Sequence, residues 1–269
     1  MASSAGTLGD AGVMSIFLRF RAIIYTYWAA KPERARNLCE RMRNAGLTTL
    51  EISWDHWHRP YIRPEAVSNC LDACSDFDFD FDFDFDIESN LRLLSTRSHS
   101  YAEALSWLRP ESVRKASRVF AMPVFATGRA STDIPREDFH PGTGIDGNCH
   151  STLNLTVNAK GNVFPCCAGL DQTDHHLFGN VKDESIVAIA ERMNRSPLVR
   201  TLVFSGVASF IPLLERAGID VGRDYDGICH LCWSIFSDKE RVEAIEAAIR
   251  DAQQRAIRRI ADREESLRC

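Results

Sequence analysis

Between residues 21 and 74 the chain twice passes from a β-branched or aromatic run into a helical one through a short connection. Residues 21–28, Arg-Ala-Ile-Ile-Tyr-Thr-Tyr-Trp, have the composition of a buried strand. Pro32 then opens a helix, because a first turn leaves its N–H groups unpaired and proline has none to lose. The helix runs to about Asn44 and Gly46 closes it. Residues 48–54 are the next strand and 64–74 the next helix. Strand, helix, strand, helix with short connections implies a parallel sheet with right-handed crossovers, and so the α/β class.

With 269 residues, 45% hydrophobic and 26% charged, the chain can bury one large core or two smaller ones, which excludes disorder, collagen and a membrane span. Lys and Arg total 32 against 37 Asp and Glu, so no basic excess points to a nucleic-acid partner. The apolar stretch 13–30 is cut by Arg19 and Arg21 and follows an uncharged start, unlike a signal peptide, so the expected compartment is the cytoplasm. In that reducing setting nine cysteines divide between apolar fillers and metal ligands, not disulfides. Residues 76–86 alternate Asp and Phe, six aspartates with five phenylalanines. A solvated acidic face is the simplest reading of that repeat, with a cation-attracting edge as its alternative.

Residues 1–12 read as a disordered lead-in and 13–130 as the first domain. Within it a helix is expected near 101–108 and a strand near 119–125, ending in Thr-Gly-Arg-Ala at 127–130. A polar linker with Pro and Gly follows at 131–147. The second domain, 148–236, opens with a hairpin: strand 153–157, a turn at 158–161 that places Gly161 where φ must be positive, and strand 162–165. Helical patterns follow near 183–193 and 209–217. A final helix over 237–269 starts at the capping box Ser237-Asp-Lys-Glu240 and carries Val242, Ile245, Ile249, Ala252, Ala256 and Ile260 along one stripe. That stripe packs on its own domain or takes a partner helix.

Cys149 precedes the hairpin, Cys166 ends it, and Cys229-His-Leu-Cys232 is a CxxC that aims two sulfurs at one point. A hairpin returns its ends to one place, so the first two thiols are neighbours. If the CxxC folds back beside them, four thiolates surround a site suited to tetrahedral zinc or to a [4Fe-4S] cluster. Cys167 is a spare beside Cys166, and His150 and His230 are substitute ligands or donors to the ligands. A CxxC thiol oxidoreductase is the third reading, weakened because the motif follows an irregular Gly-Arg-Asp-Tyr-Asp-Gly stretch and not a strand. Cys70 and Cys74 are an i, i+4 pair on a buried helical face.

Cys149, eleven residues, Gly161, four residues, Cys166, a long gap and then CxxC resembles the opening of the SPASM domain and its shorter twitch relative. These are the C-terminal auxiliary-cluster modules of radical S-adenosylmethionine (radical SAM) enzymes. After Cys232 only Cys269 remains, so the resemblance implies the single-cluster form with Cys149, Cys166, Cys229 and Cys232 as ligands of one [4Fe-4S] cluster. The run from Tyr25 to Gly46 followed by Leu50-Glu-Ile-Ser-Trp-Asp-His-Trp-His58 resembles the middle of the radical SAM partial barrel. There Ser53 and Asp55 match positions near S-adenosylmethionine, and Gly128-Arg129-Ala130 matches a later strand end; capping by Asp55 is the plainer role. The resemblance covers residues 21–236 and implies an incomplete βα barrel followed by a small α+β domain. It also implies a peptide or protein substrate. The family's CxxxCxxC loop occurs nowhere in the chain, which implies a truncated or non-cleaving form in which S-adenosylmethionine is doubtful.

Overall fold

A computed structural model of the chain describes residues 20–75, 87–142, 144–149, 154–166 and 176–268. The Asp-Phe repeat, the lead-in, His150 and Cys167 lie outside the described residues. The chain divides into two compact units, Met1–Ser95 with His99–Met122 and Thr96–Ser98 with Pro123–Cys269.

The first unit contains β1 (Phe20–Ile24), α1 (Pro32–Asn44), β2 (Leu47–Ser53), α2 (Pro64–Ser75), β3 (Glu88–Ser95), α3 (Tyr101–Ser106), α4 (Pro110–Lys115) and β4 (Arg118–Pro123). The strands lie in the order β1-β2-β3-β4, with β1–β2 and β2–β3 parallel. The α/β expectation is therefore met. The described strands form a sheet of four, and a barrel is a further step that this sheet does not itself show. Leu50, Glu51 and Ile52 are buried in succession, as befits a parallel strand covered on both faces. Glu51 tolerates this because Arg92 of β3 pairs with it at 2.8 Å. Ala35 and Cys39 of α1 and Ala66, Val67, Cys70, Leu71 and Cys74 of α2 belong to the same core.

Three local readings change. The expected strand 21–28 ends at Ile24, and Thr26–Ala30 winds into a 3-10 turn whose Ala29 carbonyl accepts the Asn69 amide at 3.0 Å. The expected helix 101–108 stops at Ser106, and a second helix starts at Pro110 because proline suits a first turn and no later one. Strand β3 escaped the sequence reading because Ser89, Asn90 and Ser95, which are all buried, give it little β character.

The second unit contains α5 (Ala130–Asp133), β5 (Thr156–Val157), β6 (Asn162–Phe164), β7 (Gly179–Asn180), α6 (Ile186–Arg195), α7 (Pro197–Phe204), α8 (Ile211–Arg216), α9 (Ile228–Phe236) and α10 (Lys239–Arg268). The expected hairpin is present as β5–β6, and β7 adds an unanticipated third antiparallel strand. Asn158 Oδ1 accepts the N–H groups of Lys160 and Asn162, and Gly161 takes φ +91°, so the turn is built as its sequence requires. Ser185 caps α6, moving its start past the expected Asp183. A 3-10 turn at Val207–Phe210 leads into α8 in place of one helix over 209–217. The cap of α10 is Asp238, whose Oδ1 accepts from Glu240 and Arg241 N–H. Ser237 instead donates to the Trp233 carbonyl and ends α9. Of the α10 stripe, Val242 and Ile245 are buried while Ile260 is 61% exposed, so only its first turns pack within the unit. Among the described residues no helix is long and apolar enough to cross a membrane.

Candidate metal centre

The four cysteines that the spacing singles out reach the second unit on separate elements. Cys166 lies two residues past the end of β6 and is 93% buried, in the core that also contains Phe210, Leu231, Ile235 and Phe236. Cys229 and Cys232 occupy the first turns of α9 and are half-buried. They share the helix-opening position of a thiol oxidoreductase motif, although no strand leads into it. Cys149 is held by its backbone, its N–H donating to the Leu202 carbonyl at 3.1 Å in α7.

Gly206 fixes the same segment. With φ +76° and ψ 168° it occupies a region that only glycine enters readily. A Cβ there would stand 2.1 Å from the Gly147 carbonyl oxygen, two residues before Cys149. The turn after α7 thus touches the backbone beside Cys149 at a distance no side chain permits.

Burial pushes the Cys232 thiol well up from the ordinary range, and charge on Cys166, Cys149 and Cys229 pushes it further. Neighbouring thiols that resist joint ionisation are what a cation gathers, since its charge reverses the balance and displaces their protons. Among the described residues, no three of these four sulfurs lie within 4.8 Å of one another.

An ion-pair network that sequence reasoning missed braces the loop before the CxxC. Arg136 binds Asp226 and, at 3.0 Å, Asp224. Asp226 N–H donates to His230 Nδ1 at 3.2 Å, and the Tyr225 ring packs edge-on against that imidazole. Burial, which outweighs Asp226, lowers the His230 pKa, favouring the neutral imidazole that accepts this bond. The nearest signal in the sequence was the Asp224-Tyr-Asp226 run, whose partner Arg136 stands 90 positions from Asp226.

Within the first unit, Ser53 ends β2 and Asp55 follows it, fully buried. Asp55 Oδ1 accepts from Trp57 N–H, from His58 N–H and from His58 Nδ1, the last at 2.7 Å, so it holds its own loop in the capping manner. Its Oδ2 is buried without a hydrogen-bond partner. His56 stacks on His99 at 3.5 Å between ring centroids. Arg129, in the second unit, is 87% exposed and pairs with Asp133 four residues on, an ordinary surface ion pair.

A second group of thiols was not anticipated. Cys39 of α1 joins Cys70 and Cys74 of α2, all three buried, with their sulfurs within 4.8 Å of one another and Cys39 and Cys74 at 3.8 Å. Hydrogen bonds from Cys70 and Cys74 pull Cys39 toward the thiolate, while the same bonds and burial hold Cys70 as a thiol. The i, i+4 spacing foretold the pair on α2, but nothing local ties Cys74 to a residue 35 positions earlier.

Comparison with known proteins bears on the second unit first. Residues 149–233 match the family model of SPASM, an iron-sulfur cluster-binding domain, and this span begins at the first of the four cysteines and closes one residue after the last. Over 224 residues the chain is 20% identical to a provisionally assigned peptide biosynthesis protein, YydG, of Bacillus subtilis (strain 168). That match covers 80% of this chain and 67% of the relative.

Proposed function

We propose, for a chain that distant homology makes a radical SAM/SPASM-type protein, that Cys149, Cys166, Cys229 and Cys232 hold one [4Fe-4S] cluster and that the protein serves the modification of a peptide. The observation that carries the ligand set is the span matched to the iron-sulfur cluster-binding domain, which opens at Cys149 and closes one residue after Cys232. A peptide as substrate rests on the relative's name alone. Thiolate ligands kept reduced suit the cytoplasm.

Zinc is the competing occupant, held by the same four thiolates at about 2.3 Å each. The iron-sulfur reading is favoured because residues 149–233 match an iron-sulfur cluster-binding domain. A thiol oxidoreductase motif opens a helix after a strand, whereas here no strand leads into α9.

When bound, such a cluster supplies one-electron transfer or an iron that a substrate can ligate. The chain's own part is positional. Cys166 anchors the site to the core, the Cys149–Leu202 backbone bond and the Gly206 contact hold the hairpin's entry, and the Arg136–Asp226–His230 network sets the start of α9. No CxxxCxxC occurs in these 269 residues, so cleavage of S-adenosylmethionine is not part of the proposal. A polar ligand beside Ser53 and Asp55 is supported by the unpartnered Asp55 Oδ2, while Arg129 has only its surface pair with Asp133 to recommend it.

The test is Cys232→Ala, purified anaerobically. Iron and acid-labile sulfide should fall together from about four each per chain to near none. Iron unchanged in that variant overturns the assignment, and colourless wild-type protein with about one zinc establishes the structural zinc reading instead.

A further inference from the structure

The first unit contains a thiol cluster for which the proposed cluster site has no use. Ala35 and Cys39 are the buried residues of α1, one turn apart, and they face α2 where Cys70 and Cys74 are also one turn apart. One sulfur from α1 therefore meets two from α2. The 3.8 Å between Cys39 and Cys74 is far beyond the roughly 2.05 Å of a disulfide, and all three are free thiols. It is close to the separation of two thiolates that share a single ion at about 2.3 Å.

We propose that Cys39, Cys70 and Cys74 form a second metal site, in which three sulfurs hold one monovalent copper ion. Three features select the ion. The donors are all sulfur, which turns away magnesium, calcium and manganese and favours thiophilic ions. Among the described residues no fourth Cys, His, Asp or Glu ligand atom joins the group, so a tetrahedral zinc site lacks a protein ligand. Relative exposures of 0%, 0% and 1% leave no opening for water to complete the shell. A filled d shell with no geometric demand and a tolerance for three ligands describes monovalent copper. Binding forms Cu–S bonds and releases thiol protons, with no change in oxidation state. Because the sulfurs are sealed, the ion enters through local opening of α1 from α2, and uptake is slow.

The experiment equilibrates the full-length chain overnight, under argon, with Cu(I) supplied as its acetonitrile complex and with a competing Cu(I) chelator. Copper, iron and sulfide are measured on the same samples. About one tightly held copper per chain is expected in the wild type and in Cys232→Ala, and less than about a fifth of that in Cys39→Ala. X-ray absorption at the copper edge of the wild-type chain, which needs no variant, should show three sulfur neighbours and no nitrogen or oxygen. Equal copper in Cys39→Ala, a nitrogen or oxygen neighbour, or zinc preferred at these thiols each overturns the proposal. Since iron follows Cys232 and copper follows Cys39, failure of either assignment leaves the other readable.

Discussion

The two groups of cysteines were assembled by opposite means. In the first unit, two regular helices bring three sulfurs together in a sealed core, close enough for one ion. In the second, the four cysteines of the proposed cluster site sit at a backbone bond, past a hairpin end and in the first turns of α9, and two of the three elements are irregular where the cysteine sits. Helix packing sets a short, fixed spacing with no room to grow. Loops and hairpin ends set no such fixed spacing, so the geometry of the proposed cluster site would depend on glycines and ion pairs outside its cysteines.

The comparison breaks most readily at Gly206. Gly206→Ala forces a Cβ to 2.1 Å from the Gly147 oxygen in a backbone region that costs about 1–3 kcal/mol for other residues. We expect the largest loss here, about 3 kcal/mol by chemical denaturation, with iron per chain falling by half or more. Full iron retention would show that the backbone contact does not position Cys149.

Cys70→Ser sharpens the contrast from the other side. It replaces a buried sulfur by a hydroxyl among apolar neighbours, for about 2 kcal/mol of stability, and should leave iron unaltered. Loss of iron there would tie the cluster to the first unit. The smallest effect is a cap. Asp238→Ala should cost about 1 kcal/mol, read by thermal unfolding, while Ser237→Ala should cost clearly less, because Asp238 accepts the first-turn N–H groups of α10 and Ser237 does not.

These differences follow what sequence can carry. The β5–β6 hairpin was legible because turn chemistry at Asn158 and Gly161 is a local pattern with known geometry. The parallel sheet was legible from the alternation through Pro32, Gly46 and Pro64. Strand β3 was not, since its buried Ser89 and Asn90 hide it from any reading of β-branched runs. Helix α9 was hidden by the irregular stretch before it, and Ser237 looked like a cap because Asp238, one position on, competes for the same N–H groups. The Cys39 contact and the Arg136–Asp226 pair join residues far apart in the chain, and no local period reports such pairs.

The most direct test of the central claim is to quantify iron, acid-labile sulfide and zinc, with the visible spectrum, in anaerobically purified Cys232→Ala beside Cys70→Ala. The account predicts brown Cys70→Ala with about four iron and four sulfide per chain and colourless Cys232→Ala with neither. Equal iron in the two variants, or about one zinc per chain that only Cys232→Ala loses, would contradict it.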